Sequence, residues 1–105
     1  EIEADKMAIP PRKTIVSGWN ADNNIVATED TAVFITNTED RTLYWVVLDS
    51  GLPDFDVSLA HRVEPLDPSD ASSKPELSVT LAAGETLCLA FRGKTGTITI
   101  TTGAA

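Results

Sequence analysis

The sequence predicts an all-β protein: a two-sheet antiparallel β-sandwich of jelly-roll type, with an immunoglobulin-like strand order as the alternative. Three observations predict it. Apolar and β-branched residues fall into about eight short runs. Clusters of Asn, Asp, Gly and Pro separate those runs at the spacing usual for sandwiches and barrels. No stretch of useful length repeats its apolar residues with the helical period, so essentially no helix is expected.

Residues 1–11 read as an extended N-terminal arm. Ile2, Met7 and Ile9 follow no period, and Pro10-Pro11 favours an extended polyproline path. Residues 12–105 read as a single sandwich domain. Residues 14–19 are rich in strand formers, and Asn20-Ala21-Asp22-Asn23 is a turn, because Asn and Asp bond to their own backbone. Residues 24–28 form a short strand, and 31–37 form another around Ala32, Val33, Phe34 and Ile35. Residues 41–48 carry six apolar residues in a row, Leu43 to Leu48. Such runs predict strands covered on both faces, or a core on one face and a subunit contact on the other. One alternate set, Leu43, Trp45 and Val47 or else Tyr44, Val46 and Leu48, should form the centre of the core.

Gly51 and Pro53 mark a loop. Residues 56–64 then alternate, which predicts a strand with Val57, Leu59, His61 and Val63 on one face. Three prolines make residues 65–75 a long surface loop. Residues 76–81 alternate with Leu77, Val79 and Leu81 inward. Ala82-Ala83-Gly84-Glu85 reads as a hairpin turn. Residues 86–92 set Leu87, Leu89 and Phe91 against Cys88 and Ala90. After a second tight turn, Gly93-Lys94-Thr95-Gly96, residues 97–102 place Ile98 and Ile100 inward and threonines outward.

The chain has 105 residues, 42% hydrophobic and 23% charged, enough for a core without disulfides or metals. Eight Lys and Arg against 16 Asp and Glu leave a net charge of −8. That balance opposes phosphate backbones and anionic membranes, so neither nucleic acid nor membrane is an expected partner. A lone Cys88 rules out an internal disulfide. No apolar run approaches the ~18 residues of a membrane span, and no signal-peptide pattern is visible. A chain opening on Glu1 is processed, truncated or engineered, and Met7 is a candidate original start.

No motif specifies chemistry. Gly93-Lys94-Thr95 resembles the end of a phosphate-binding loop, but the glycine that should stand five residues earlier is Cys88, and a strand follows where a helix is needed. His61, the single histidine, reads as half-buried on its strand; a metal would need further ligands, and only Cys88 is on offer. A Cys88–His61 nucleophilic pair is conceivable, yet Cys88 sits mid-strand among apolar residues, which suits an inert thiol. Asp49, Asp54 and Asp56 surround one loop and Asp67 and Asp70 occupy the next, without calcium-loop spacing. No catalytic, cofactor-binding or metal residue is therefore assigned, and no cofactor is expected. Tyr44 and Trp45 point to opposite faces of their strand, so one belongs to the core and the other meets a subunit or ligand.

Leu81-Ala82-Ala83-Gly84-Glu85-Thr86-Leu87-Cys88-Leu89, followed by Gly96-Thr97-Ile98-Thr99-Ile100-Thr101, is similar to the ends of many small phage and prophage structural proteins. The Leu43-Tyr44-Trp45 strand with its Asp49-Ser50 loop resembles the same group. The resemblance covers about half of the chain. It implies a non-enzymatic virion protein, a capsid decoration or tail component, that forms a homo-oligomer and contacts other virion proteins. Ile2, Met7, Ile9, Tyr44 and Trp45 are the candidate interface. The alternative is a sandwich module, secreted or cytoplasmic, that binds a carbohydrate or surface receptor.

Overall fold

The computed structural model describes residues 12–65, 69 and 75–105. The arm assigned to residues 1–11, with Ile2, Met7 and Ile9, lies outside the described residues, as do Asp67 and Asp70.

Eight strands form: β1 (Arg12–Ile15), β2 (Ile25–Val26), β3 (Thr31–Thr36), β4 (Leu43–Leu48), β5 (His61–Val63), β6 (Glu76–Leu81), β7 (Thr86–Ala90) and β8 (Gly96–Ala104). Two three-residue 3-10 turns, Ala21–Asn23 and Val57–Leu59, are the helical elements among the described residues. The first strand pairs with the last, the second with the seventh, the third with the sixth and the fourth with the fifth, all antiparallel. Folding that ribbon over brings β8 beside β3 and β7 beside β4. Two four-stranded sheets result, β1-β8-β3-β6 and β2-β7-β4-β5. This is jelly-roll order, and it decides against the immunoglobulin-like alternative.

The topology corrects the two C-terminal hairpins. Only β4 and β5 follow one another within a sheet. The turns at 82–85 and 92–95 carry the chain from one sheet to the other. Gly84 takes φ +93°, and the Glu85 side chain accepts a bond from the Ala82 amide at 2.7 Å, closing the first turn. At the second, Gly96 is needed for space. A Cβ there would lie 2.6 Å from the Phe91 ring and 2.9 Å from Glu39 Cγ.

The core lies between the sheets. Ile15, Val33, Ile35, Leu81 and Ile98 come from the first sheet, and Leu43, Val63, Leu87 and Leu89 from the second, with Phe91 just past β7. Alternation put them there, because every second side chain of a strand faces the partner sheet. On β4 the inward set is Leu43, Trp45 and Val47. Burying each large aliphatic side chain stabilises the fold by about 1.5–3 kcal/mol.

Several expected strands come out shorter, and for two of them the local reason is plain. β1 ends at Ile15 because the buried Asn23 side chain takes over the Val16 backbone. Its Oδ1 accepts from Val16 N at 2.9 Å, and its Nδ2 donates to Val16 O at 3.1 Å. The strand expected over 56–64 survives only as His61–Val63. Asp56 accepts bonds from both the amide and the hydroxyl of Ser58, which winds Val57–Leu59 into a 3-10 turn. Val57 and Val63 are buried, whereas Leu59 is 74% exposed. His61, expected half-buried, is exposed, with its ring 4.7 Å from that of Trp45.

Candidate interaction surfaces

The outer face of β2-β7-β4-β5 is apolar, and the chain covers much of it itself. Register places Val46 opposite Cys88 and Tyr44 opposite Ala90, facing away from the core. Cys88 and Ala90 are nevertheless 0% exposed. The loop after β4 lies over Cys88, whose Sγ donates to Gly51 O at 3.7 Å, and Asn24 Nδ2 donates to the same oxygen at 3.3 Å. Trp19 fastens the loop from the other side. Its indole N–H donates to Phe55 O at 2.9 Å, and the two rings meet edge to face at 6.1 Å. Asn23 anchors the preceding turn by donating to Leu89 O at 3.1 Å. Burial pushes the Cys88 thiol above its ordinary pKa, as befits an unreactive sulfur.

Of the candidate interface residues that are described, Tyr44 lies on this covered face, half-buried, with the Arg62 guanidinium 6.0 Å from its ring centre. Trp45 lies on the opposite face, packed against the core. Trp19, Tyr44 and Trp45 therefore build no common stacking platform. Cys88 and His61 likewise fall on opposite faces of their sheet, since His61 pairs with the inward Trp45.

Among the described residues, no three His, Cys, Asp or Glu side chains gather as a metal site would require, and no helix is long and apolar enough to cross a membrane. Asp56 is held below the ordinary carboxylate value by its side-chain and backbone bonds to Ser58, which makes it a turn cap. The Gly93-Lys94-Thr95 turn is bound from its own side. Arg41 donates to Thr95 O at 3.0 Å and lies 4.9 Å from the centre of the Phe91 ring.

The outer face of the first sheet is different. Strand register arranges its side chains in rows across β1, β8, β3 and β6. Arg12, Thr99, Thr36 and Glu76 form one row. Thr101, Phe34 and Ser78 form the next, and Gly103, Ala32 and Thr80 the third. Phe34 is 52% exposed in the middle of this field of small residues. Arg12 and Glu76 stand at opposite edges of their row, and neither has an ion-pair partner among the described residues. The threonines of this face are legible in the alternation of 97–102. Phe34 is not, because the unbroken run from Ala32 to Ile35 reads as apolar throughout. The signal was the inward pairing of Val33 with Ile35, which forces Phe34 outward.

Compared with family models, with curated proteins and with solved structures, the chain matches none.

Proposed function

We propose that this chain is a non-enzymatic assembly protein of a virion, a capsid decoration or tail component that forms a closed homo-oligomer and contacts other virion proteins. The observation that carries the proposal is the outer face of β1-β8-β3-β6, hydroxyl-rich and uncharged between its edges, with Phe34 exposed at its centre. An exposed aromatic on a surface free of charge matches the aromatic enrichment and charge depletion of an interface centre. The jelly-roll order adds an analogy of fold, since capsid and lectin domains both use it. The resemblance of residues 81–89 and 96–101 to the ends of phage structural proteins favours the first of those two. A lectin-like site would need several aromatics on one surface, and Trp19, Tyr44 and Trp45 are dispersed. The net charge of −8 disfavours nucleic acid and anionic membranes as partners.

Light scattering on the full chain, run beside a glycan-array screen, tests the proposal. The expected result is a native mass of two or more whole multiples of 11.2 kDa, with no glycan retained. A strict monomer that binds a glycan overturns it in favour of the carbohydrate module.

A further inference from the structure

We infer that the outer face of β1-β8-β3-β6 pairs with the same face of a second copy, about a two-fold axis running along the strands. This rests on the assembly reading and adds to it the surface, the symmetry and the contacts.

A two-fold axis lying between two stacked sheets, parallel to their strands, exchanges left and right within each row and leaves the row itself unchanged. β1 then faces β6 of the second copy, and β8 faces its β3. Arg12 and Glu76 occupy one row at opposite edges, so each meets its opposite charge, twice per pair. An axis perpendicular to the strands would leave each edge strand facing its own copy and would break this match. The same operation sets Phe34 over Thr101 of the second copy and Ala32 over Gly103, large against small in one row and small against small in the next. An isologous contact needs this kind of self-complementarity. Aligned sheets pack with strands about 30° apart, which turns the axis by about 15° and offsets the charges by a few ångström, within reach of Arg and Glu side chains about 10 Å apart across the interface.

Rows of four, three and three side chains, on strands about 4.8 Å apart and rows about 7 Å apart, give a footprint of roughly 340 Å² per copy. That is the size of a weak, concentration-dependent pair rather than a permanent dimer. The partner is a second copy because a foreign protein would have no reason to repeat the Arg12–Glu76 spacing in reverse.

Sedimentation of the full chain, up to about 1 mM, tests this. The unaltered chain should dimerise. Arg12→Glu and Glu76→Arg, each placing like charges opposite one another twice, should weaken the dimer roughly tenfold, and high salt should relieve much of that loss. The double variant R12E/E76R should restore the unaltered affinity. Phe34→Ser should weaken association by roughly tenfold or more. All three positions are exposed, so circular dichroism should show an unchanged fold. A chain that stays monomeric across the range overturns both the pairing and the homo-oligomer in the assembly reading. An oligomer indifferent to the charge reversals, or a double variant weaker than either single one, overturns the pairing and leaves the assembly reading standing.

Discussion

The two sheets share one core and differ in what lies behind them. Behind β7 and β4, the chain supplies its own cover: Gly51 over Cys88, Phe55 against Trp19, and Asn23 clasping the backbones of Val16 and Leu89. Behind β8 and β3, the outer side chains are threonine, serine, alanine and glycine around a half-exposed phenylalanine. The difference teaches how to read an apolar run in a strand. The run from Leu43 to Leu48 is two-sided because a loop closes over its outer face, not because a subunit must. A single outward Phe34 has no such internal service.

The largest effect should come from the core that both sheets need. Phe91 is fully buried, carries the Arg41 guanidinium on one side and abuts Gly96. Phe91→Ala should cost about 3–5 kcal/mol in chemical denaturation. A loss under about 1 kcal/mol would mean that the inter-sheet packing is wrong.

A smaller loss should follow from unfastening the cover of the second sheet. Asn23→Ala leaves Val16 and Leu89 backbone groups without their partners, which should cost about 1–3 kcal/mol. It should also raise the rate at which a disulfide reagent labels Cys88, whose burial depends on the neighbouring loop. Unchanged labelling would break the comparison, because Cys88 would then owe its burial to something other than this cover.

The sheets were legible in the sequence and the cover was not. Leu77, Val79 and Leu81, or Ile98 and Ile100, declare their face by strict alternation, which any sandwich position rewards in the same way. Jelly-roll order was one of two expected orders, and register alone decided it. Trp19 meets Phe55 and Asn23 meets Leu89 across 36 and 66 residues, and nothing local encodes those contacts. The segment 56–64 misled for the opposite reason. Its alternation is real, but Asp56 and Ser58 bond locally and win over the ladder.

That same Asp56 makes the cover sensitive to acid. Its folded pKa lies below the ordinary carboxylate value, chiefly through the bonds to Ser58. The carboxylate therefore supports the loop at all pH values above the ordinary one, and the support is lost as pH falls through the lowered folded value. Trp19 reports it, since its ring packs on Phe55, one residue away from Asp56. With Trp45→Phe to remove the second indole, Trp19 emission should hold constant from neutral pH down to the carboxylate range and change only below it. Asp56→Asn should remove that step. An Asp56→Asn variant that keeps it would move the acid sensitivity to another carboxylate.

The smallest expected effect is the sharpest test of the contrast between the two outer faces. Phe34 is large and aromatic, and in the core its loss would cost several kcal/mol. On the outer face of β3 it is 52% exposed, with Thr101 and Ser78 as its cross-strand neighbours. In a dilute monomer its ring contributes little more than those cross-strand contacts, worth a few tenths of a kcal/mol. Phe34→Ser should therefore leave the melting temperature of a dilute sample nearly unchanged, within about 0.5 kcal/mol. The comparison also has a concentration axis. If the ring serves a second copy, the unaltered chain should melt higher as it is concentrated, while Phe34→Ser should not, because association stabilises only what it binds. A variant that melts far lower even when dilute would show that Phe34 serves its own chain after all, and the two outer faces would then be covered alike.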